Sequence, residues 1–312
     1  MGGWTINNHD LRRELIRSMR ADIVSVCETH LSGVMGLDLK DLGYEWYGFN
    51  RTHIHKDAPK ASGGVGFLIR TDIMKQYDVN IMNKCIDGIL GIQFNDKFTD
   101  FKFIAFVCYL PPENSPWGRD ALAFFSHLLS QIYLNSETDA IFLLGDFNSR
   151  LGSLRDFCVD IDNIRSRDIT DHTQNLHGQS FSEFLLDSKF CVLNGRYGEN
   201  SNKFTSVSVK GKAVVDYVCV PHDQLGNCYN FRIKPCSDVI EVGKLQNRLG
   251  SRCRIPDHDI LMFDYKCKIE YSQENEETHI DTKKNSHVPP RKKFKFKQIQ
   301  TNFICLIPLK KR

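Results

Sequence analysis

Four carboxylates in this 312-residue sequence stand at the ends of apolar runs. Glu28 follows IVSVC, Asp146 follows AIFLLG, Asp216 precedes YVCV, and Asp257 comes just before the run that opens at Ile260, with His258 and Asp259 beside it. An apolar run read as a buried strand delivers its terminal residue to a sheet edge, where loops shape pockets. One aspartate in such a place is ordinarily a turn former, because its side chain accepts hydrogen bonds from nearby backbone N–H groups. The segment Gly145-Asp146-Phe147-Asn148 alone is compatible with a plain Asx turn. Four acidic strand ends in one chain, with Asn148 and His258 beside them, are harder to attribute to turns.

Such a group suits hydrolysis of a phosphodiester. Hard oxygen ligands such as Glu28 and Asp257 hold magnesium, which neutralises the phosphate and polarises the leaving oxygen. Asp146 would orient or deprotonate the attacking water, and Asn148 would donate a hydrogen bond to a nonbridging oxygen. His258 would contact the scissile phosphate and stabilise its extra charge, provided that a carboxylate such as Asp216 holds its ring. All of this requires convergence in space.

The elements that must position these residues alternate in period. LRRELIRSMR places Leu11, Leu15, Ile16 and Met19 near one side of a helix that Asp10 can cap. Strands are expected at Ile23 to Cys27 and in YEWYGFNR, GGVGFLIR, DGILGIQF and FKFIAFVCYL. ALAFFSHLLSQIYL has helical spacing with Asp120 as its cap, and AIFLLGDFNS is a continuous apolar strand that stops at Gly145. QSFSEFLLDSKF reads as a helix, while FCVLNGR, NKFTSVSV, AVVDYVCV and DILMFDYKCKI read as strands. Helices between strands, together with several adjacent strands, favour an α+β fold with two packed mixed sheets and outer helices. After about Lys268 the pattern gives way to YSQENEETHIDTKKNSHVPPRKKFKFK. The expected organisation is a folded domain over 1–268 and a polar linker with a basic C-terminal extension over 269–312.

Whole-chain charge identifies no partner, since 41 Lys and Arg face 38 Asp and Glu. From Tyr271 to Arg312 the net charge is +6, which leaves −3 on the body. Phosphate attraction therefore resides in the tail or in a local patch. In RKKFKFK, charges interleave with Phe294 and Phe296, a pattern that suits either phosphate and base contacts or an exposed charged linker. The eleven cysteines show no repeated short spacing, and Cys27, Cys108, Cys191 and Cys219 sit in apolar runs, as reduced core thiols do. No run reaches the roughly 18 apolar residues of a membrane span and the N-terminus lacks a signal-peptide pattern, so an intracellular protein is expected. NFICLIPL is apolar but too short to span, and reads as a broken-off or partner-dependent segment. SGGVGF lacks the later glycine and lysine of a phosphate-binding loop, and the histidines lack zinc-finger spacing.

The series Glu28-Thr29-His30, Tyr109, Gly145-Asp146-Phe147-Asn148, Asp216-Tyr217 and Asp257-His258 resembles the ordered motif set of the endonuclease/exonuclease/phosphatase superfamily over about residues 3–268. The resemblance implies a four-layer α/β/β/α sandwich and a role for each position. Glu28 matches the magnesium ligand and Asp257 a metal-side carboxylate, with manganese as a substitute ion. Tyr109 matches the phosphate-side tyrosine, Asp146 the water-activating aspartate and Asn148 the residue that helps position the phosphate. Asp216 matches the partner that orients the catalytic histidine, His258, and Thr205 a threonine packed near the active-site loops. LNGR, FTS and VDYV, with the basic RKKFKFK, look most like the endonuclease domains of non-LTR retrotransposons, which nick chromosomal DNA to expose a 3′ hydroxyl for reverse transcription. That branch implies DNA as partner, a reverse transcriptase region missing from this chain, and a nuclear location.

Two departures stand out. Family members begin with a core strand ending in asparagine, whereas this chain starts at MGGWT, where that strand should already have ended, and neither Asn7 nor Asn8 takes its place. The expected fold therefore lacks the first core strand, which would leave backbone groups unpaired. Pro256 stands where the family commonly has serine. It removes a backbone donor and biases Ile255 toward an extended shape, allowing a small rearrangement of the histidine loop. A degenerate DNA- or protein-binding fragment without catalysis, and a phosphoinositide or other phosphomonoester phosphatase, fit the same sequence. No feature encodes an oligomeric state.

Overall fold

The computed structural model describes Trp4 and residues 9–51, 62–82, 84, 86–115, 120–248, 256–271 and 295–306. Asn7, Asn8, Ile255, the linker over 272–294 and the first part of RKKFKFK lie outside these residues. The chain lays down β1 (Ile23–Cys27), β2 (Tyr44–Phe49) and β3 (Val65–Arg70), then β4 (Tyr77–Ile81), β5 (Ile89–Asp96), β6 (Lys102–Tyr109) and β7 (Ala140–Asp146). After β8 (Phe190–Val192) come the hairpin strands β9 (Ser206–Ser208) and β10 (Gly211–Ala213), followed by β11 (Asp216–Pro221). The remaining strands are β12 (Cys228–Lys234), β13 (Ile260–Tyr271) and β14 (Lys295–Leu306). They form two six-stranded sheets in the orders β12-β13-β14-β1-β3-β2 and β4-β5-β6-β7-β11-β8, with β9 and β10 as a separate pair.

The helices are α1 (His9–Met19), α2 (Ile73–Gln76), α3 (Ala121–Leu134), α4 (Leu176–Ser188) and α5 (Cys236–Val242). Three apolar clusters define the layers. Phe67, Ile69, Phe94, Phe103, Phe142 and Phe263 belong to the cluster between the two sheets. Phe106, Leu143 and Cys219 of the second sheet meet Phe125, Leu128, Phe181 and Leu185 of α3 and α4. Val24, Val26 and Leu68 of the first sheet meet Leu15, Ile16, Val239 and Ile240 of α1 and α5. The result is the α+β four-layer sandwich with mixed sheets that the sequence leads one to expect.

Local chemistry accounts for the elements that matter most to function. Asp120 caps α3 by accepting from the Ala123 N–H at 3.1 Å, and Asn175 caps α4 through the Gly178 N–H at 2.8 Å. Phe147 stacks on Phe181 with centroids 4.6 Å apart, and Phe181 on Phe125 at 5.4 Å. Each such ring contributes roughly 1.5–3 kcal/mol by burial. All seven residues of β7 are buried, as its unbroken apolar run requires of a strand covered on both faces. A Cβ built on Gly145 would lie 1.9 Å from the Cys108 carbonyl oxygen. Only glycine lets β6 and β7 approach closely enough to finish the strand at Asp146.

The structure differs from the sequence pattern in several places. Helix α1 starts at His9, so Asp10 lies inside its first turn and favours the N-terminal end of the helix dipole instead of capping it. β12 and α5 have weak sequence signals. In β12 the register shifts between Tyr229 and Arg232, and Asn230 adopts a left-handed φ of 53°, so alternation is interrupted by a bulge. β13 continues past Lys268, and β14 occupies a stretch read as extension. Cys27, Cys108, Cys158, Cys191, Cys219, Cys228, Cys236 and Cys267 are free, and all of these but Cys158 are buried. Among the described residues, no helix is long and apolar enough to cross a membrane.

Candidate active site

Strand pairing brings three of the expected residues to one edge of the second sheet. β6 runs parallel to β7 with Tyr109 opposite Asp146, and β11 runs antiparallel to β7 with Asp216 opposite Asp146. Tyr109, Asp146 and Asp216 are therefore neighbours on three adjacent strands. From the other sheet, Glu28 follows the end of β1, and Asp257 and His258 precede the start of β13.

His258 reaches across to Asp216. Its Nδ1 lies 2.9 and 3.1 Å from the two Asp216 carboxylate oxygens, and its Nε2 lies 3.3 Å from the Ser206 hydroxyl. Burial alone would disfavour the imidazolium. The charge of Asp216, its hydrogen bond, and the charges of Asp146 and Asp257 outweigh burial, so the His258 pKa is raised to about 9. In the metal-free fold this shift favours the doubly protonated ring. The loop that includes Pro256 still delivers this ring to Asp216.

The supports of this pair come from residues that sequence reading only partly identifies. The Thr205 hydroxyl accepts the N–H groups of Val215 and Asp216 at 3.1 and 3.2 Å. The Thr205 carbonyl accepts the Asp259 N–H at 2.8 Å, and the Asp257 carbonyl accepts the Val207 N–H at 2.7 Å. One threonine thus ties the strand carrying Asp216 to the loop carrying His258. Asn194, in LNGR, donates to the Asp216 carbonyl at 3.0 Å. The resemblance gives Thr205 a role, whereas Asn194 and Ser206 lie within LNGR and FTS without a role of their own.

Asp146 and Asn148 form the expected Asx turn. The Asn148 N–H donates to Asp146 Oδ1 at 2.9 Å, with Asn148 at a left-handed φ of 46°. The Asn148 side-chain amide donates to the Leu110 carbonyl at 2.8 Å, and the Leu110 N–H donates to the Asp146 carbonyl at 2.9 Å. These bonds join the loop after β7 to the end of β6. Downstream, Arg150 forms a two-pronged pair with Asp171 at 2.6 and 2.8 Å, and Asp171 also accepts the Val214 N–H at 2.9 Å. The loop is thereby anchored beside the base of the β9 and β10 hairpin, whose Lys210 and Lys212 are exposed.

Glu28 and Tyr109 meet through a hydrogen bond from the tyrosine hydroxyl to the carboxylate. Burial, followed by the charges of Glu28 and Asp146, holds the Tyr109 pKa well above its ordinary value, so it stays a donor. Asp146, Asp216 and His258 each offer a ligand atom, and these atoms lie within 4.8 Å of one another. This acidic and histidine cluster is compatible with a divalent cation, but it includes neither Glu28 nor Asp257. The donor chemistry of this cluster fits a cation, with two buried carboxylates, Asp146 and Asp216, beside one histidine. A phosphate entering such a site needs positive charge brought with it.

Residues 7–234 match the sequence profile of the endonuclease/exonuclease/phosphatase family. That match ends before Asp257 and His258, which the geometry itself brings to Asp216. No curated protein sequence matches the chain. Among solved structures, the AP endonuclease LMAP from Leishmania major is similar with a TM-score of 0.56 and 12% identity, over 83% of each chain. The 3′-5′ exonuclease NExo from Neisseria meningitidis has a TM-score of 0.54 and 16% identity, over 83% of this chain and 94% of the other. The endonuclease domain of TRAS1, a telomere-specific non-LTR retrotransposon, has a TM-score of 0.51 and 13% identity, over 83% and 92%. At these identities the likeness is one of fold.

Proposed function

The chain belongs to the endonuclease/exonuclease/phosphatase family, and on that premise we propose that it hydrolyses phosphodiester bonds in DNA, nicking a single strand with the help of a divalent cation. The observation that carries this reading is the buried His258 and Asp216 pair standing beside Asp146. A protonated ring fixed by a carboxylate is suited to receiving charge that builds on a phosphate oxygen. Asp146, buried at the strand end, is placed to orient a water and take its proton. The water oxygen forms the new bond to phosphorus, and the bond from phosphorus to the 3′ oxygen breaks. That oxygen leaves with a proton as the 3′ hydroxyl, and the phosphate stays on the 5′ side.

Magnesium, with manganese as a substitute, would neutralise the phosphate and polarise the leaving oxygen when bound. Its oxygen ligands in this reading are Glu28 and Asp257. His258, protonated and paired with Asp216, is reserved for the phosphate, and the Asn148 amide helps position it. Tyr109 holds Glu28 on the phosphate side. The exposed Lys210 and Lys212 of the β9 and β10 hairpin support a polyanionic substrate longer than one phosphate. LNGR, FTS and VDYV, together with the fold likeness to TRAS1, support a retroelement setting. There the 3′ hydroxyl would prime reverse transcription, and the protein would act in the nucleus.

Supercoiled plasmid incubated with the chain and magnesium tests the reading. Conversion to open circles is expected, with loss of cutting in Asp146→Asn and His258→Ala while circular dichroism shows both variants still folded at the assay temperature. Glu28→Gln should instead raise the magnesium concentration needed for half-maximal cutting. Continued cutting by both Asp146→Asn and His258→Ala would refute their roles. Hydrolysis of phosphomonoesters without any nicking would make the protein a phosphatase, and binding without hydrolysis would make it a DNA-binding domain.

A further inference from the structure

The strand at the centre of the first sheet comes from the C-terminal region. β14 runs parallel to β1, with Ile23 opposite Phe303 and Val26 opposite Leu306. It also runs antiparallel to β13 along its whole length, from Ile260 opposite Leu306 to Tyr271 opposite Lys295. The strand therefore has two parts. Residues 303–306 have a neighbour on each side, while, among the described residues, 295–302 pair with β13 alone.

The sequence changes character at the same point. Residues 295–302 read KFKQIQTN, a polar and charged composition that suits a strand with one free edge. Residues 303–306 read FICL, an unbroken apolar run that suits a strand paired on both edges. Backbone register and composition are separate observations, and they divide the strand at one place. The basic residues Lys295 and Lys297 lie toward the end of the ribbon remote from Leu306. At about 3.3 Å per residue, nine to eleven residues put them roughly 30 Å or more from the site edge.

The enclosed part stands between the two strands that deliver the site residues of the first sheet. β1 ends one residue before Glu28, and β13 begins two residues after His258. With about 4.8 Å between neighbouring strands, an intervening β14 keeps these two carriers about 10 Å apart. Without it, β1 and β13 would present bare edges of N–H and C=O groups, or would close together and move Glu28 toward His258.

We propose that Phe303–Leu306 is a spacer strand, inserted by the chain's own C-terminal segment between β1 and β13, that fixes the distance between Glu28 and His258. The catalytic domain then extends to Leu306 instead of ending near Lys268, and its site is assembled only when this segment is seated. The occupant is a strand parallel to β1 and antiparallel to β13. None of this depends on the chemistry assigned to the site.

Hydrogen exchange measured by mass spectrometry on the full chain tests it without reference to activity. The amides of 303–306 are expected to exchange at least about 10³-fold more slowly than in an unstructured peptide, comparably with those of 23–27. Ile304→Pro, which removes a donor from the enclosed part, should speed exchange about tenfold or more in β1 and at the start of β13 as well. Exchange of 303–306 at the unstructured rate in the parent chain would overturn the proposal. Protection confined to a dimeric fraction would overturn it too, because the strand would then come from a second copy.

Discussion

Asp216 and His258, 42 residues apart in sequence, share a hydrogen bond of 2.9 Å in which both side chains are almost fully enclosed. The bond has a calculable consequence for stability. The His258 pKa is raised from 6.5 to about 9 in the fold, so the folded state holds its proton more tightly than the unfolded state. The stabilisation from this pair is fully present below pH 6.5 and is lost as the pH rises through about 9. Chelator-treated protein should therefore show a falling melting temperature across that interval. His258→Gln should flatten the fall, which differential scanning calorimetry at a series of pH values would reveal.

Thr205 is expected to act by positioning. Its hydroxyl accepts two buried N–H groups, those of Val215 and Asp216. Thr205→Val keeps the shape and leaves both donors unsatisfied, at a cost of about 1–3 kcal/mol for a buried unpaired group. Thr205→Ser retains the acceptor and should restore most of the loss. A stability difference between these two variants, accompanied by a lower kcat and little change in KM in the valine variant, would separate positioning from packing.

Tyr109→Phe removes the hydroxyl that donates to Glu28. A hydrogen bond to a charged group contributes about 1.5–3 kcal/mol, so kcat/KM should fall roughly 10- to 150-fold. The melting temperature should fall too, since Glu28 loses a buried donor even though the ring remains packed. Titration of the variant with magnesium should also show weaker activation, because the orientation of Glu28 is lost.

Gly145→Ala should be among the most damaging single-methyl changes in the protein. The added carbon would collide with the backbone of Cys108, which cannot rotate away as a flexible side chain could. Overpacking of this kind typically costs about 1–3 kcal/mol, and collision with the rigid backbone of Cys108 places it at about the upper value. Chemical denaturation of the variant beside the parent measures it.

Much of the sandwich and of its site was legible in advance because the strongest signals were local. AIFLLGD announces a buried strand with an acid at its end, and ALAFFSHLLSQIYL after Asp120 announces a capped amphipathic helix. What escaped was non-local or irregular. The bulge at Asn230 breaks the alternation that would reveal β12. β14 is separated from its partner β13 by residues 272–294, and nothing in its composition names that partner. The contribution of Ser206 is a single hydroxyl near His258, and Asn194 acts through one backbone carbonyl. Such contacts leave no spacing in a sequence. The metal-capable cluster of Asp146, Asp216 and His258 likewise emerges only once β7 and β11 are paired.

The row formed by Tyr109, Asp146 and Asp216 ties catalytic competence to folding fidelity. Side chains on a strand alternate between faces, so a slip of β7 by one residue against β6 and β11 would turn Asp146 away from its two neighbours. A misregistered molecule could keep its strand content, its compactness and much of its apolar burial while losing the site entirely. Circular dichroism would count that molecule as native. Specific activity would not, which makes turnover per mole the more exacting gauge of whether a preparation of this protein has reached its proper fold.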